Sequence, residues 1–243
     1  MRPLSTYDLL YIWEQGQRQH PVAQALTMLA VACPELPPAH LVTLPIGQRD
    51  AYLLDLWAQT FGATVYGTGT CPQCAERLEV PVVLADIRLP SLPEVQPMEL
   101  AMGDLTVRFR LPNSEDLVAI AAYTDVVTAR DLLTQRCVVH ASRAGGDLPY
   151  RELPAEAITS LAAHMLQCDP QAEILLNLQC PSCRHSWSLL FDIAALLWSA
   201  IGTQAQRLLR DVHTLACAYG WWEADILSLS PNRRQFYLDM VTQ

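Results

Sequence analysis

Two short elements of the chain have residue types and spacing that could do chemistry. Cys71-Pro72-Gln73-Cys74 and Cys180-Pro181-Ser182-Cys183 each set two thiols either side of a two-residue gap. A gap of that length lets a tight turn aim both sulfurs at one ion, and proline inside it stiffens the turn. A structural zinc site takes four ligands at the corners of a tetrahedron, often all thiolates. Two such turns therefore complete a closed shell from Cys71, Cys74, Cys180 and Cys183. A closed shell leaves no open position for water, so the implied Zn2+ is structural and not catalytic. The competing chemistry is thiol redox. A thioredoxin-like site, however, needs one motif opening a helix after a strand, and here an alternating strand pattern follows each of two pairs. His185 as a ligand in place of one cysteine stays open.

Four thiolates around one divalent ion carry net negative charge. Arg77, Arg184 and His185 are the nearby side chains that could donate to the sulfurs. The residue after the second cysteine of such a turn often sits at positive φ, where glycine is common. Here it is Ala75 and Arg184, at a cost of about 1 kcal/mol each.

The elements that must position these cysteines repeat. Leu78, Val80 and Val82 follow the first pair, and Trp187, Leu189 and Phe191 follow the second at the same offsets. An Asp-Ile pair comes next in both cases, Asp86-Ile87 and Asp192-Ile193. A compact zinc ribbon separates its two turns by roughly 15–20 residues, whereas residues 75–179 lie between these. The expected fold is therefore α+β and predominantly helical: a split zinc ribbon with an inserted helical block and a β-hairpin. The metal would clip two distant parts of the chain together. By analogy with a disulfide, that closure is worth roughly 4–5 kcal/mol.

Four stretches follow from the punctuation. Residues 1–62 read as an N-terminal helical region. In it Ser5 caps a first helix with Asp8 as its capping-box partner, Pro21 opens a second helix, Pro37-Pro38 marks a linker, and a third helix runs from about Gly47 to Gln59 with Gly62 closing it. Residues 63–90 hold the first cysteine turn and its strand. Residues 91–170 begin at the connection marked by Pro90 and Pro93. They contain a hairpin turning at Gly103-Asp104, a helix capped by Ser114, a helix over about Asp125–Val139, a loop at Ala144–Asp147, and a helix from Pro154 to about Gln167. Residues 171–243 hold the second cysteine turn, a long helix over about Ile193–Ala218, and a closing pair over Trp222–Leu227 and Pro231–Val241. Ser230-Pro231 is a strong start signal for the last of these.

Composition removes several function classes. With 243 residues, 51% hydrophobic and 17% charged, the chain can bury a sizeable core and is not a disordered one. A net charge of −9 repels nucleic acid unless basic residues cluster, and Arg233-Arg234 is the only adjacent basic pair. All 16 basic residues are arginine. The apolar charge-free stretches, such as Pro21–Pro34 and Ile193–Gln206, fall short of the roughly 20 residues that a membrane span needs, and Asp8 and Glu14 break up any secretion signal. The expected compartment is the cytoplasm of the producing cell, where cysteines stay reduced and pairs read as metal ligands. No Gly-x-Ser-x-Gly, Walker loop or His-Glu-x-x-His occurs, so no catalytic residue and no small-molecule substrate are expected. Cys33, Cys137, Cys168 and Cys217 read as core packing, and His140, His164 and His213 as surface or satisfied core residues. Around Leu227–Pro231 the chain could form a helix-turn-helix, making it a zinc-ribbon nucleic-acid-binding regulator with Arg233, Arg234 and Gln235 at a groove. The favoured alternative is a packing or protein-binding module. Its candidate partner residues are Trp221, Trp222, Arg233, Arg234 and Tyr237.

Several stretches resemble a known family: Leu44–Asp50 with Phe61-Gly62, Arg110–Leu117, Ala129–Leu133, Asp169–Ala172, Cys180–Trp187, and Val212–Arg234. The ending Ala218–Arg234 is the most telling. Together they look like bacterial proteins encoded with contractile phage-tail-like injection systems, related to the baseplate proteins of T-even-type phages. The double Cys-Pro-x-Cys belongs to that pattern, usually with glycine after each pair. The resemblance implies a non-enzymatic baseplate component or baseplate assembly factor whose partners are other baseplate or tail proteins, made in the bacterial cytoplasm and retained or not in the finished particle.

Overall fold

The computed structural model describes residues 1–90 and 97–241; Pro93, taken above as part of a connection, lies outside them. The helices and strands run in the order α1 (Thr6–Gly16), α2 (Pro21–Ala32), α3 (Pro38–Thr43), α4 (Ile46–Phe61), β1 (Thr64–Thr70), β2 (Arg77–Val83), α5 (Leu84–Ile87), β3 (Met98–Met102) and β4 (Leu105–Phe109). They continue with α6 (Ser114–Ile120), α7 (Val126–Cys137), β5 (Val138–Arg143), β6 (Gly146–Asp147), α8 (Ala155–Cys168), β7 (Leu175–Gln179), β8 (Ser186–Leu190), α9 (Ile193–Tyr219), α10 (Glu223–Ser228) and α11 (Pro231–Val241). The fold is mixed α+β, mostly helical, with small antiparallel sheets: β1-β2, β3-β4-β5-β6 and β7-β8.

The chain divides into two compact units. One joins Met1–Glu35 to Ile193–Gln243, and the other is continuous from Leu36 to Asp192. The expected first stretch is thus shared: α1 and α2 go with the C-terminal helices, α3 and α4 with the middle of the chain.

The terminal unit is helical. The spacing of Leu197, Ile201, Ala205, Leu208 and Leu215 makes one buried stripe along α9, and Ile12, Ala25, Met28 and Leu29 are buried in α1 and α2. Ser5 and Asp8 form the expected capping box. Arg2 also grips Asp8, at 2.9 Å through Nη2, and this hydrogen bond holds the carboxyl down at about 2. Gly16 touches the ring of Trp198, with no room for a Cβ. Pro231 opens α11 as expected, with the Arg233 N–H donating to Ser230 Oγ at 3.4 Å.

In the continuous unit, β4 and α8 face each other across a core of Leu105, Val107 and Phe109 against Ala157, Leu161 and Met165. Several expectations are corrected. Asn113, not Ser114, caps α6; its side chain accepts from the Asp116 N–H while Asp116 accepts from the Asn113 N–H, both at 3.1 Å. The amide oxygen and an acidic residue three positions on make the better box, and Ser114 becomes the first helical residue. The helix expected over Asp125–Val139 stops at Cys137. Val138–Arg143 is a strand instead, because β4 needs a partner along its second edge and β-branched Val138-Val139 supply it. The Pro37-Pro38 linker is the start of α3, with proline at its first position.

Beneath α4 lies a buried ionic group. Arg49 Nε donates to Asp50 at 2.8 Å, and Asp169 accepts the Gly47 N–H at 2.8 Å. Burial, reinforced by Asp192 and Asp169 against the pull of Arg49, pushes Asp50 up from 3.8 to about 6. A carboxyl raised on folding holds its proton more tightly in the native state. Its stabilising contribution is complete below pH 4 and is lost as pH rises through 6. We expect the stability of Asp50→Asn relative to wild type to rise by about 3 kcal/mol between pH 4 and pH 7, read by urea titrations at each pH. A gap that does not change with pH would contradict this.

Candidate metal centre

Both cysteine turns fold alike. The Ala75 N–H donates to the Cys71 carbonyl and the Cys71 N–H to the Glu76 carbonyl, each at 2.9 Å. The second turn repeats this with Arg184 to Cys180 and Cys180 to His185, again at 2.9 Å. Ala75 and Arg184 take φ of 60° and 61°, the left-handed conformation expected of the residue after each pair. Each turn joins two strands of a hairpin, β1 to β2 and β7 to β8. In each hairpin the pairing runs up to the turn: Thr70 on β1 faces Arg77 on β2, and Gln179 on β7 faces Ser186 on β8. Reading outward, Val82 and Phe191 are the buried ends of the two alternating patterns. Gly69 on β1 sits over Leu178 and Leu189, where an added Cβ would lie 3.4 and 3.5 Å from them. A methyl at this position would make ordinary contact with both leucines, so the two hairpins pack closely here.

This packing brings the four cysteines together across residues 75–179. Their Sγ atoms all lie within 4.8 Å of one another. Cys71 is 3.6 Å from Cys183 and Cys74 is 3.5 Å from Cys180. The edge of a tetrahedron with metal–sulfur bonds of about 2.3 Å is about 3.8 Å, so the residues fit such an ion. Cys71 and Cys180 are buried, Cys183 half-buried and Cys74 exposed. The group could hold a metal ion.

The electrostatics favour a cation. The Cys183 N–H, joined by that of Ser182, pulls the Cys180 thiol down to about 7. At Cys74 the Glu76 N–H favours the thiolate, but the Cys183 thiol, burial, Cys180 and Cys71 outweigh it and raise the thiol to about 12. Four thiols this close cannot all ionise alone, and a divalent ion removes that conflict. The donors that reach these sulfurs are main-chain N–H groups of Glu76, Ser182, Cys183 and His185. Arg77 and Arg184 are exposed beside the turns, and His185 stacks on Trp187 at 6.3 Å between ring centroids.

The C-terminal residues singled out for a partner divide into two sets. Trp222 is 81% exposed and Arg233 is exposed. Trp221 stacks on Tyr219 at 4.8 Å and meets Tyr237 edge-on at 4.9 Å. Arg234 is buried, its Nε 3.1 Å from Asp211, so its guanidinium works inside the fold. Phe236 and Met240, one turn apart on α11, are also exposed. Sequence reasoning passed over them because α11 is apolar on more than one side.

A match to the family described as T4 bacteriophage base plate protein spans residues 3–198. The chain belongs to that family, as the stretches from Leu44 to Trp187 lead one to expect. The match ends before the Val212–Arg234 stretch. No curated protein and no solved structure matches the chain. Membership supports a structural role in a tail baseplate and implies contact with other baseplate or tail proteins. Among the described residues, no helix is long and apolar enough to cross a membrane.

Proposed function

We propose that the chain is a non-enzymatic structural protein of a contractile phage tail or tail-like injection system, acting as a baseplate component or assembly factor and braced by one Zn2+ in a split zinc ribbon. The observation that carries this is the family match over residues 3–198. The convergence of four sulfurs within 4.8 Å supports the brace. Cys71, Cys74, Cys180 and Cys183 hold the ion, which contributes rigidity and offsets two of the four thiolate charges. Arg77, Arg184 and His185 temper the residual negative charge around it. On the terminal unit Trp222 and Arg233 meet a tail protein, while Trp221, Arg234 and Tyr237 fix the surface from beneath. The chain is made in the cytoplasm of the producing bacterium.

The test is to tag the chain in cells that express the whole tail gene cluster. We expect tail proteins to co-purify, and deletion of the gene to leave no complete baseplates in electron micrographs. Recovery of no tail protein together with normal particles in the deletion would overturn the assignment. Elemental analysis of the purified chain is expected to give one zinc per chain with four thiols protected from alkylation. Freely titrating thiols without metal would overturn the brace alone.

A further inference from the structure

We propose that the cleft between α7 and α8 is a docking groove for an amphipathic helix of another protein, one with aliphatic anchors and a basic flank. This rests on the baseplate reading only for the source of that helix; the groove itself is argued from its walls.

The groove encloses about 290 Å³. Its walls are apolar: Leu133 on α7, Met165 and Leu166 on α8, Leu117 on α6, and Ile46 on α4. Leu166 remains 43% exposed in it. Along α7 the residues Val126, Val127, Arg130, Leu133 and Thr134 recur at helical spacing, so the groove wall continues outward as one stripe. That outer end carries Val126 and Val127 at 78% and 76% exposed, close in sequence to Tyr123 at 49%. Valines this bare at the start of a helix bury little within this unit. An unfilled trough running into bare aliphatic side chains is the shape that a helix with i, i+3, i+4 anchors fills.

Charge decides between the possible occupants. The unit Leu36–Asp192 contains 10 arginines against 18 acidic residues, a formal −8. The terminal unit has 6 against 7, or −1. On the groove itself Glu173 is exposed at the rim, Asp169 lies buried in the lining with the Gly47 N–H bonded to it, and Arg130 is the one cation among the lining residues. Glu115 and Asp125 are exposed on or beside α6 and α7. A second copy would set this acidic unit against itself, whereas a basic partner is drawn to it. Arg130 then takes one carboxylate of the incoming helix and Glu173 one of its cations, which fixes the direction in which the helix lies.

The experiment uses the full chain and two fluorescein-labelled synthetic 16-residue helices with the same leucine face, one lysine-rich and one glutamate-rich on the polar face. Fluorescence anisotropy is expected to show saturable binding of the lysine-rich helix, weakening as salt rises, and at least tenfold weaker binding of the glutamate-rich one. Ala162→Phe, which fills the groove, is expected to weaken binding about tenfold. Glu173→Lys, at an exposed position outside the core, is expected to weaken it about threefold at low salt. Equal binding of the two helices, or binding that neither variant changes, would overturn the proposal. So would a dimer seen by sedimentation velocity that Ala162→Phe abolishes, because the occupant would then be a second copy. None of these outcomes bears on whether tail proteins co-purify with the chain.

Discussion

Stripping the proposed ion from the cysteine centre with a strong chelator is expected to lower the melting temperature of the continuous unit by roughly 10–18 °C, or to abolish its cooperative transition. The size follows from what the ion joins. Cys71 and Cys180 are 109 positions apart, and cross-linking a loop near 100 residues is worth about 4.7 kcal/mol in chain entropy. Each kcal/mol moves the midpoint by about 2–4 °C for a domain of this size. Removing the ion also leaves four sulfurs crowded within 4.8 Å, so the loop estimate is a lower bound. Cys180→Ser should reproduce the loss, and Cys217→Ser, at an exposed cysteine of α9, should change stability by less than about 0.5 kcal/mol. Calorimetry with and without chelator decides it. Coincident transitions would show that the hairpins hold together without the ion.

Asp116→Ala is expected to cost about 3 kcal/mol, a fall of roughly 6–12 °C. The Asp116 side chain is fully buried and is the hub of a clasp. Arg110 reaches it through two nitrogens, at 2.5 and 2.9 Å. Arg136 reaches it at 2.8 Å and the Asn113 N–H at 3.1 Å. One carboxylate thus ties the end of β4, the cap of α6 and the end of α7. The arginines are about a third exposed, so water partly rescues them, which places the loss at the low end of the range for a broken buried pair. Burial raises the carboxyl, but Arg110, Asn113 and Arg136 together pull it below its ordinary value. A depressed carboxyl stabilises above its unfolded pKa and loses that contribution as pH falls. The variant should therefore differ most from wild type at neutral pH and converge toward it in acid. Asp116→Asn should recover little, because an amide cannot accept from both guanidinium groups. Urea titration at neutral and acid pH measures both effects.

Much of this architecture was legible from local chemistry. Ser5 with Asp8, Pro21, Gly62 and Ser230-Pro231 mark real helix ends, because caps and prolines act on their own neighbours. The four ligand candidates were legible for the same reason: a two-residue gap between cysteines has one common geometric use. The hairpin at Gly103-Asp104 follows from its turn. What failed depended on distant partners. Val138–Arg143 reads as the end of a helix until β4 is seen to need a neighbour. The strand β1, Thr-Val-Tyr-Gly-Thr-Gly-Thr, is hard to read because its glycines weaken any strand signal, and only its pairing with β2 reveals it. The cap of α6 was misplaced by one residue because Asn113 and Ser114 are both good caps, and only the position of Asp116 chooses between them. Arg234 was assigned to a surface because arginine usually lies there, and its burial requires Asp211 on another helix.

The terminal unit joins helices that lie before and after the continuous unit in sequence, and this sets an order on events at the ribosome. Residues from Leu36 onward can settle while synthesis is still under way. The first 35 must wait, with Ile12 and Leu29 uncovered, until translation has passed Ile193. A message cut short anywhere before that codon yields a product whose leading segment stays greasy and unclaimed, a ready target for proteases. Only once α9 has emerged can α1 and α2 find the helix they pack against.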